Sequence, residues 1–439
     1  METEMKPMTK EMIQKMADKF AEVLYLGYKN GQVEEGVMWK HSMHSAGVWA
    51  SPLVIDILEK TFEDVPEIGP HTLKYCCATW GKGQYDGIPS IEQFNQYHYI
   101  MDMNNGFFVE WGEDLDDDPE KAPANNILDI EVTTKCTGPG NYLFDKYGSK
   151  TCTESGCCAF CYKSNTPNGK NMSLDTFRKV IDKMPITLTQ IAIGADAHLD
   201  QNPDLWNMMD YANSKGIAVN ITCANIDDET ARLLSQKCKA VAVSRYQNKN
   251  WCYDSIKRLT DYGMKQVNMH YMICQETFDN ARETIKDIKN DPRLEKINAI
   301  VWLSLKTKGR GEKFHPLSQE QFKELIDMCR QEGINFGCDS CSAGKVMKAY
   351  EGDPDYERVF QAVMSCESTL ESAYINVDGE YFPCSFTEGE EGWEQGISVV
   401  KTKDFIENVW NNKRTEEFRK KLCKSTDANK CRHCPLFNI

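Results

Sequence analysis

From residue 127 onward the chain alternates short apolar, β-branched runs with longer helical stretches, a rhythm that few architectures accommodate. Six runs carry it: Ile127-Leu-Asp-Ile-Glu-Val-Thr, Gln190-Ile-Ala-Ile-Gly, Ile217-Ala-Val-Asn-Ile-Thr, Ala240-Val-Ala-Val-Ser, Gln266-Val-Asn-Met-His-Tyr-Met-Ile and Ala299-Ile-Val-Trp-Leu-Ser-Leu. The intervals predict helices over 173–184, 204–215, 227–237 and 279–290. Ser173-Leu-Asp-Thr and Ser318-Gln-Glu-Gln have the composition of helix N-caps, with acidic or amide residues in the first turn. Six strand–helix units imply an α/β fold with a parallel sheet and functional loops at the carboxyl ends of its strands.

The rhythm occupies the middle of the chain and divides it into 1–123, 124–337 and 338–439. The first part contains helical stretches such as 52–62, then an extended Gly106-Phe-Phe-Val-Glu-Trp-Gly, and reads as a mainly helical extension. Six acids within residues 113–120 read as a solvated connector. Beyond 338, loops, Gly and Cys replace the alternation, as expected of a small metal-stapled domain. No stretch approaches the roughly 18 uncharged apolar residues of a membrane span. The opening Met1-Glu-Thr-Glu-Met-Lys-Pro is charged, so a cytoplasmic location is expected. A net charge of −15 disfavours nucleic acid and anionic lipid as partners.

Nineteen Cys are many for a cytoplasmic protein. Where thiols stay reduced, clustered Cys point to metal or catalysis and not to disulfides. Cys158-Ala-Phe-Cys161 sets two thiolates within reach of one metal centre. A third thiolate, Cys136, stands where the first strand should end, with Cys152 and Cys157 as competitors for that place. Three protein ligands on a four-iron cluster leave one iron open. A zinc site or buried thiols are the plainer reading of the same residues.

This arrangement resembles the radical S-adenosylmethionine (SAM) superfamily, whose Cys-x3-Cys-x2-Cys loop follows the first strand of a partial (βα)6 TIM-like barrel. Cys158-Ala-Phe160-Cys161-Tyr162 matches the second half of that loop, while 21 residues separate Cys136 from Cys158. The resemblance implies that Cys136, Cys158 and Cys161 hold a [4Fe-4S] cluster that binds SAM, with Phe160 and Tyr162 beside the cofactor. Gly194-Ala-Asp196 stands where the family has a Gly-Gly-Glu-Pro strand edge, which implies contact with the methionine amino group. Ser244 and Arg245 close the fourth strand, where the family commonly contacts the SAM carboxylate and ribose.

At the far end, twelve residues separate Cys366 from Gly379 and four separate Gly379 from Cys384. Cys431-Arg-His-Cys434 follows. The set is similar to the SPASM/Twitch extension, and five residues after Cys434 suggest the shorter, single-cluster Twitch form. The resemblance implies one auxiliary [4Fe-4S] cluster on Cys366, Cys384, Cys431 and Cys434. A zinc ribbon would use the same four ligands. Cys338-Asp-Ser-Cys341 has three readings: a further cluster ligand, a catalytic thiol at Cys341 near substrate, or structure.

The implied activity is reductive cleavage of SAM, with an electron from a flavodoxin or ferredoxin-type donor, and hydrogen abstraction from substrate. A peptide or protein side chain is the expected substrate, for oxidation or cross-linking, with residues 1–123 placed to recognise it. The alternatives are a dehydrogenase of a small polyol or aminocyclitol and a zinc-stapled binding protein. Cys76, Cys77, Cys223, Cys238, Cys252, Cys274 and Cys329 read as small core residues. The Met pair after Trp206 reads as core too, and His41 and His44 as a surface or core pair. Lys306-Thr-Lys-Gly-Arg310 reads either as an anion-binding loop or as a solvated one.

Overall fold

The computed structural model describes residues 73–78, 97–102, 108–111, 122, 124–139, 158–185, 188–246, 248–424, 426 and 431–437. The chain forms two compact units. One comprises Met1–Asn126, Met184–Thr189 and Ser214–Ala218, and the other Ile127–Lys183, Gln190–Asn213 and Val219–Ile439.

In the first unit, β1 (Leu73–Ala78), β2 (Tyr97–Asp102) and β3 (Phe108–Trp111) form an antiparallel sheet in sequence order. Leu73 pairs with Asp102, and His98 with Trp111. The described segments of this region are sheet, β3 falling on the run read as extended at 106–112; they are rich in Tyr, Ile, Phe, Val and Trp, which suit a pleated surface. The helical reading of 52–62, His41, His44 and the acidic run at 113–120 lie outside the described residues, as do Cys152 and Cys157.

The second unit is built on β4 (Ile127–Glu131), β5 (Gln190–Gly194), β6 (Ala218–Cys223), β7 (Ala240–Ser244), β8 (Val267–Ile273), β9 (Ala299–Ser304) and β10 (Phe336–Cys338). These seven strands neighbour one another in sequence order. The pairings β4–β5, β6–β7, β7–β8, β8–β9 and β9–β10 are parallel. Between them run α1 (Leu174–Ile181), α2 (Leu205–Ser214), α3 (Asp228–Lys237), α4 (Lys249–Asp261), α5 (Phe278–Asn290) and α6 (Gln319–Glu332). This is the partial α/β barrel that the alternation implied, with a seventh strand too short to read from sequence. Ser173 and Ser318 cap α1 and α6 by accepting from the amides of Thr176 and Gln321, and Gln321 closes a capping box.

Alternation along the strands separates two environments. In β8, Met269, Tyr271 and Ile273 are fully buried, whereas His270 and Met272 between them line an interior cavity. Helices seal the outer face: Phe177 of α1, Met208 and Met209 of α2, Tyr253 of α4 and Phe322 of α6 have almost no exposure. Cys223, Cys238, Cys252, Cys274 and Cys329 are buried. Among the described residues no helix is long and apolar enough to cross a membrane.

After two short helices, α7 (Ala343–Ala349) and α8 (Tyr356–Ala362), the chain returns as β11 (Ser372–Ile375), β12 (Glu380–Phe382) and β13 (Ile397–Ser398). β11 lies parallel to β4, with Ser372 opposite Ile127 and Ile375 opposite Ile130, so the C-terminal hairpin prolongs the barrel sheet. An aromatic core of Tyr381, Phe382, Trp393, Phe405 and Phe418 backs the hairpin before and beneath α9 (Lys413–Lys424). Lys183 fastens it to the end of α1 by donating to the carbonyls of Val399, Val400 and Thr402 at 3.1, 2.6 and 2.6 Å.

Gly379 turns the hairpin at φ +73°, where a Cβ would stand 2.6 Å from Val400 Cγ2 and 3.2 Å from Thr176 Cγ2. Left-handed backbone and crowding act together there, so Gly379→Ala should cost about 1–3 kcal/mol in urea unfolding. An unchanged midpoint would show that the turn relaxes without strain.

Candidate functional site

Beyond β4 the chain is pinned by backbone bonds before it reaches its first thiol. Val132 N donates to Gly194 O at 2.9 Å, Thr134 N to Lys170 O at 2.9 Å and Cys136 N to Thr166 O at 3.0 Å. Cys136 Sγ accepts from the amide of Gly138 at 3.2 Å and from that of Ala197. Cys158 and Cys161 share one tight turn, Cys161 N donating to Cys158 O at 3.3 Å. The three sulfurs stand close enough for their charges to interact. Burial pushes the Cys136 thiol up and the Cys158 thiol far up. Thiolates are disfavoured there without a cation beside them, which is the environment of a metal ligand set.

The segment after β9 holds this turn in place. Arg310 donates from Nε to Cys158 O at 2.9 Å and from Nη2 to Asn165 O at 3.1 Å, and its own amide reaches Cys161 O at 3.1 Å. Gly309, at φ +57°, approaches so closely that a Cβ would lie 2.3 Å from Tyr162 O. Lys308 donates to the carbonyls of Phe386 and Glu388 and pairs with Glu390 at 2.5 Å. Residues 306–310 are thus a packed clamp and not a solvated loop, because loop carbonyls lack partners of their own and the cationic side chains supply them.

The residues assigned to the cofactor divide by environment. Phe160 stacks on Tyr246 at 5.7 Å and meets Phe314 edge-on at 6.0 Å, and the Tyr246 hydroxyl donates to Cys158 sulfur. Tyr162 packs against Phe386 at 4.4 Å. Gly194 closes β5 opposite Glu131. Asp196 is 2% exposed, and its carboxylate accepts from the amides of His198, Asp200 and Gln201 at 3.1, 3.4 and 3.2 Å. Ser244 ends β7. Arg245, 7% exposed, lies over the rings of Tyr253 and Tyr271, while its Nε and Nη1 have no hydrogen-bond partner among the described residues. Buried N–H groups of a guanidinium without acceptors fit an anionic group that enters from outside the chain.

A second thiol group forms where β10 and the hairpin meet. Cys341 sits in the 3₁₀ turn Ser340–Ser342 after β10, Cys366 precedes β11, Cys384 follows β12, and Cys434 lies on the tail. Their charges interact with one another. Burial raises the Cys341 thiol to about 11 and the Cys366 thiol to about 12. Cys431, expected in this set, is 4% exposed in an apolar cluster with Ala343 and Met347. Cys423 is exposed on α9, and Cys338 is half-buried in β10.

Both thiol groups line one cavity of about 560 Å³. The same cavity is lined by polar residues, of which the sequence singled out Lys306 but not Asp339, His270, Glu131, Lys163, Tyr374 or Asp129. Lys306 forms a buried ion pair with Asp339, whose carboxylate also accepts from Ser342. His270 is held down to about 4 by burial, with Asp339 opposing, so its imidazole is neutral at physiological pH. Glu131, Lys163, Tyr374 and Glu388 form a network in which Tyr374 donates to Glu131 at 3.1 Å and Lys163 donates to Tyr374 at 2.8 Å. Asp129 borders the cavity while protein surrounds it, and burial raises it to about 6. Inward-facing polar residues on barrel strands were the available signal, but register alone does not reveal which face is inward.

Residues 366–435 match the SPASM family, an iron–sulfur cluster-binding domain. None of the curated proteins matches the sequence. Among solved structures, SuiB of Streptococcus suis bound to S-adenosylmethionine is 12% identical at TM-score 0.50, covering 68% of each chain. SuiB bound to the precursor peptide SuiA is 13% identical at TM-score 0.51, covering 68% of this chain and 67% of that one. BtrN in complex with AdoMet and 2-DOIA is 12% identical over 67% of this chain and 86% of that one, at a TM-score of 0.33 that carries no weight. At these identities the likeness to SuiB is one of fold.

Asp129 supplies a stability test. A carboxyl whose folded pKa is raised stabilises the fold below its unfolded value of 3.8 and ceases to as pH climbs through about 6. Asp129→Asn should therefore gain urea resistance over the unmodified chain as pH rises from about 4 to about 8. A gap independent of pH would place the ionised carboxylate in water.

Proposed function

From a chain with the radical SAM fold and a terminal SPASM domain, we propose an enzyme that cleaves SAM reductively and takes a hydrogen atom from a peptide or protein side chain. The observation that carries the reading is the meeting of Cys136, Cys158 and Cys161 with Cys341, Cys366, Cys384 and Cys434 around one cavity. Among the described residues, no three Cys, His or acidic side chains converge on a single ion position. The thiols ring a space, which suits a multi-iron cluster better than one zinc ion. With one electron from a flavodoxin or ferredoxin-type donor, a [4Fe-4S] cluster carrying SAM supplies a 5′-deoxyadenosyl radical.

The chain's own residues then have separable tasks. Cys136, Cys158 and Cys161 would hold the cluster, three thiolates for its four irons. Arg245 offers its unpartnered Nε and Nη1 to the SAM carboxylate, and Ser244 stands beside it. Asp196 retains lone pairs toward the cavity beyond its bonds to backbone amides, and Gly194 keeps the strand edge open. Phe160, Tyr246 and Phe314 exclude water from the turn that carries Cys158. Lys306, Asp339, neutral His270 and Asp129 line the space between the thiol groups, where a substrate side chain would lie. SuiB, a neighbour in fold, has been solved with a precursor peptide, which favours a peptide over a polyol.

Cys158→Ala and Cys161→Ala should each reduce 5′-deoxyadenosine formation to background and remove about four iron per chain. Either variant with retained cleavage would overturn the ligand assignment. Substrate class is tested anaerobically on the reconstituted enzyme. Peptides that stimulate 5′-deoxyadenosine formation support the reading, and stimulation by polyols or aminocyclitols alone ends it. A colourless protein containing zinc but no acid-labile sulfide would mark a structural zinc protein instead.

A further inference from the structure

We propose that Cys341, and not Cys431, completes the C-terminal ligand set with Cys366, Cys384 and Cys434. The inference rests on the reading above, that the SPASM domain holds an iron–sulfur cluster, and it concerns which thiols hold it.

Cys341 comes from the barrel and not from the matched domain, 25 positions before Cys366. Its thiol interacts with those of Cys366, Cys384 and Cys434, and it lines the same cavity as they do. The turn that carries it is firmly held. Asp339 N donates to Trp302 O at 3.1 Å, Ser342 N to Asp339 O at 2.8 Å, and the hydroxyls of Ser342 and Ser304 meet at 2.6 Å. The Asp339 carboxylate takes the Ser342 hydroxyl on one oxygen and Lys306 on the other. A thiol at the centre of such a turn is pre-positioned, as a ligand requires.

Lys306 adds charge of the right sign. It is 6% exposed, and its ammonium interacts with Cys341 and Cys384 as well as with Asp339. Four thiolates around a cluster carry surplus negative charge, and one buried cation with a single carboxylate partner offsets part of it. Cys431 has a different setting. It packs with Ala343 and Met347, and Tyr356, Val359, Phe360 and Val363 close around that cluster. It lies beneath α7 and α8, outside the wall of the cavity that Cys341, Cys366, Cys384 and Cys434 line. Cys434 is brought round by Arg432, which donates to Ser365 Oγ at 3.1 Å and Cys366 O at 3.0 Å.

The consequence is a cluster shared between β10 and the hairpin, so that it staples the last barrel strand to the SPASM domain. It also removes Cys341 from service as a free catalytic thiol. Iron and acid-labile sulfide would be measured on the anaerobically reconstituted full chain, alongside Cys341→Ser, Cys366→Ser and Cys431→Ala. The unmodified chain should hold about eight iron. Cys341→Ser and Cys366→Ser should fall to about four, while Cys431→Ala keeps about eight. Loss in Cys431→Ala, or retention in Cys341→Ser, overturns the assignment. About four iron in the unmodified chain overturns the auxiliary cluster itself, which separates the two failures. Alkylation of the unmodified chain gives a readout independent of variant folding. Cys341 should resist iodoacetamide until iron is chelated, and labelling before chelation sinks the proposal.

Discussion

The parallel pairing of β11 with β4 is the contact on which the site depends. It places a hairpin from the end of the chain beside the first barrel strand, with Tyr374 opposite Asp129 and Ile375 opposite Ile130. That register lets the Tyr374 hydroxyl reach Glu131, and it sets Cys366 and Cys384 at the rim of the cavity that β4 leads into. Parallel neighbours so distant in sequence form only when both faces are covered. The helices of the barrel cover one part, and the aromatic core around Tyr381 and Trp393 covers the other. If the hairpin did not join at β4, the two thiol groups would belong to separate surfaces.

Burial then sets the chemistry of the cavity. Burial raises the thiols of Cys136, Cys158, Cys341 and Cys366 in its wall, while Lys306 is paired with Asp339, Lys163 is paired with Glu131 and Glu388, and His270 is uncharged. In the proposed reaction a carbon radical would attack any misplaced C–H bond, so such a site needs its walls held still. The hydrogen-bonded networks provide that, since the charges of Lys306, Asp339, Lys163, Glu131 and Glu388 find partners within the wall. Arg245 differs, a buried guanidinium whose Nε and Nη1 have no partner among the described residues, and an incoming carboxylate would supply one.

The segment after β9 shows how one loop serves several ends. Arg310 binds the Cys158–Cys161 turn, Lys308 binds the hairpin, and Lys306 faces the second thiol group. Cationic side chains are apt for this because each donates to several carbonyls while its stem packs against apolar neighbours. The same segment therefore couples the geometry of both thiol groups to the end of one strand.

By itself the sequence determined the barrel strands, the capped helices at Ser173 and Ser318, the Cys158–Cys161 turn and the Gly379 hairpin. Each of these is local: side-chain periodicity, a hydroxyl three residues from an amide, or a left-handed turn leaves its mark within a few positions. Only the tertiary structure decided that β10 adds a seventh strand, that β11 pairs with β4, and that Asp129, Glu131, His270 and Lys306 face inward. It alone placed Cys341 in the cavity wall and Cys431 in an apolar cluster beneath α7 and α8. Spacing says which sulfurs are near each other along the chain. Which ones share a space depends on strand order and register, and these are settled by packing between residues hundreds of positions apart.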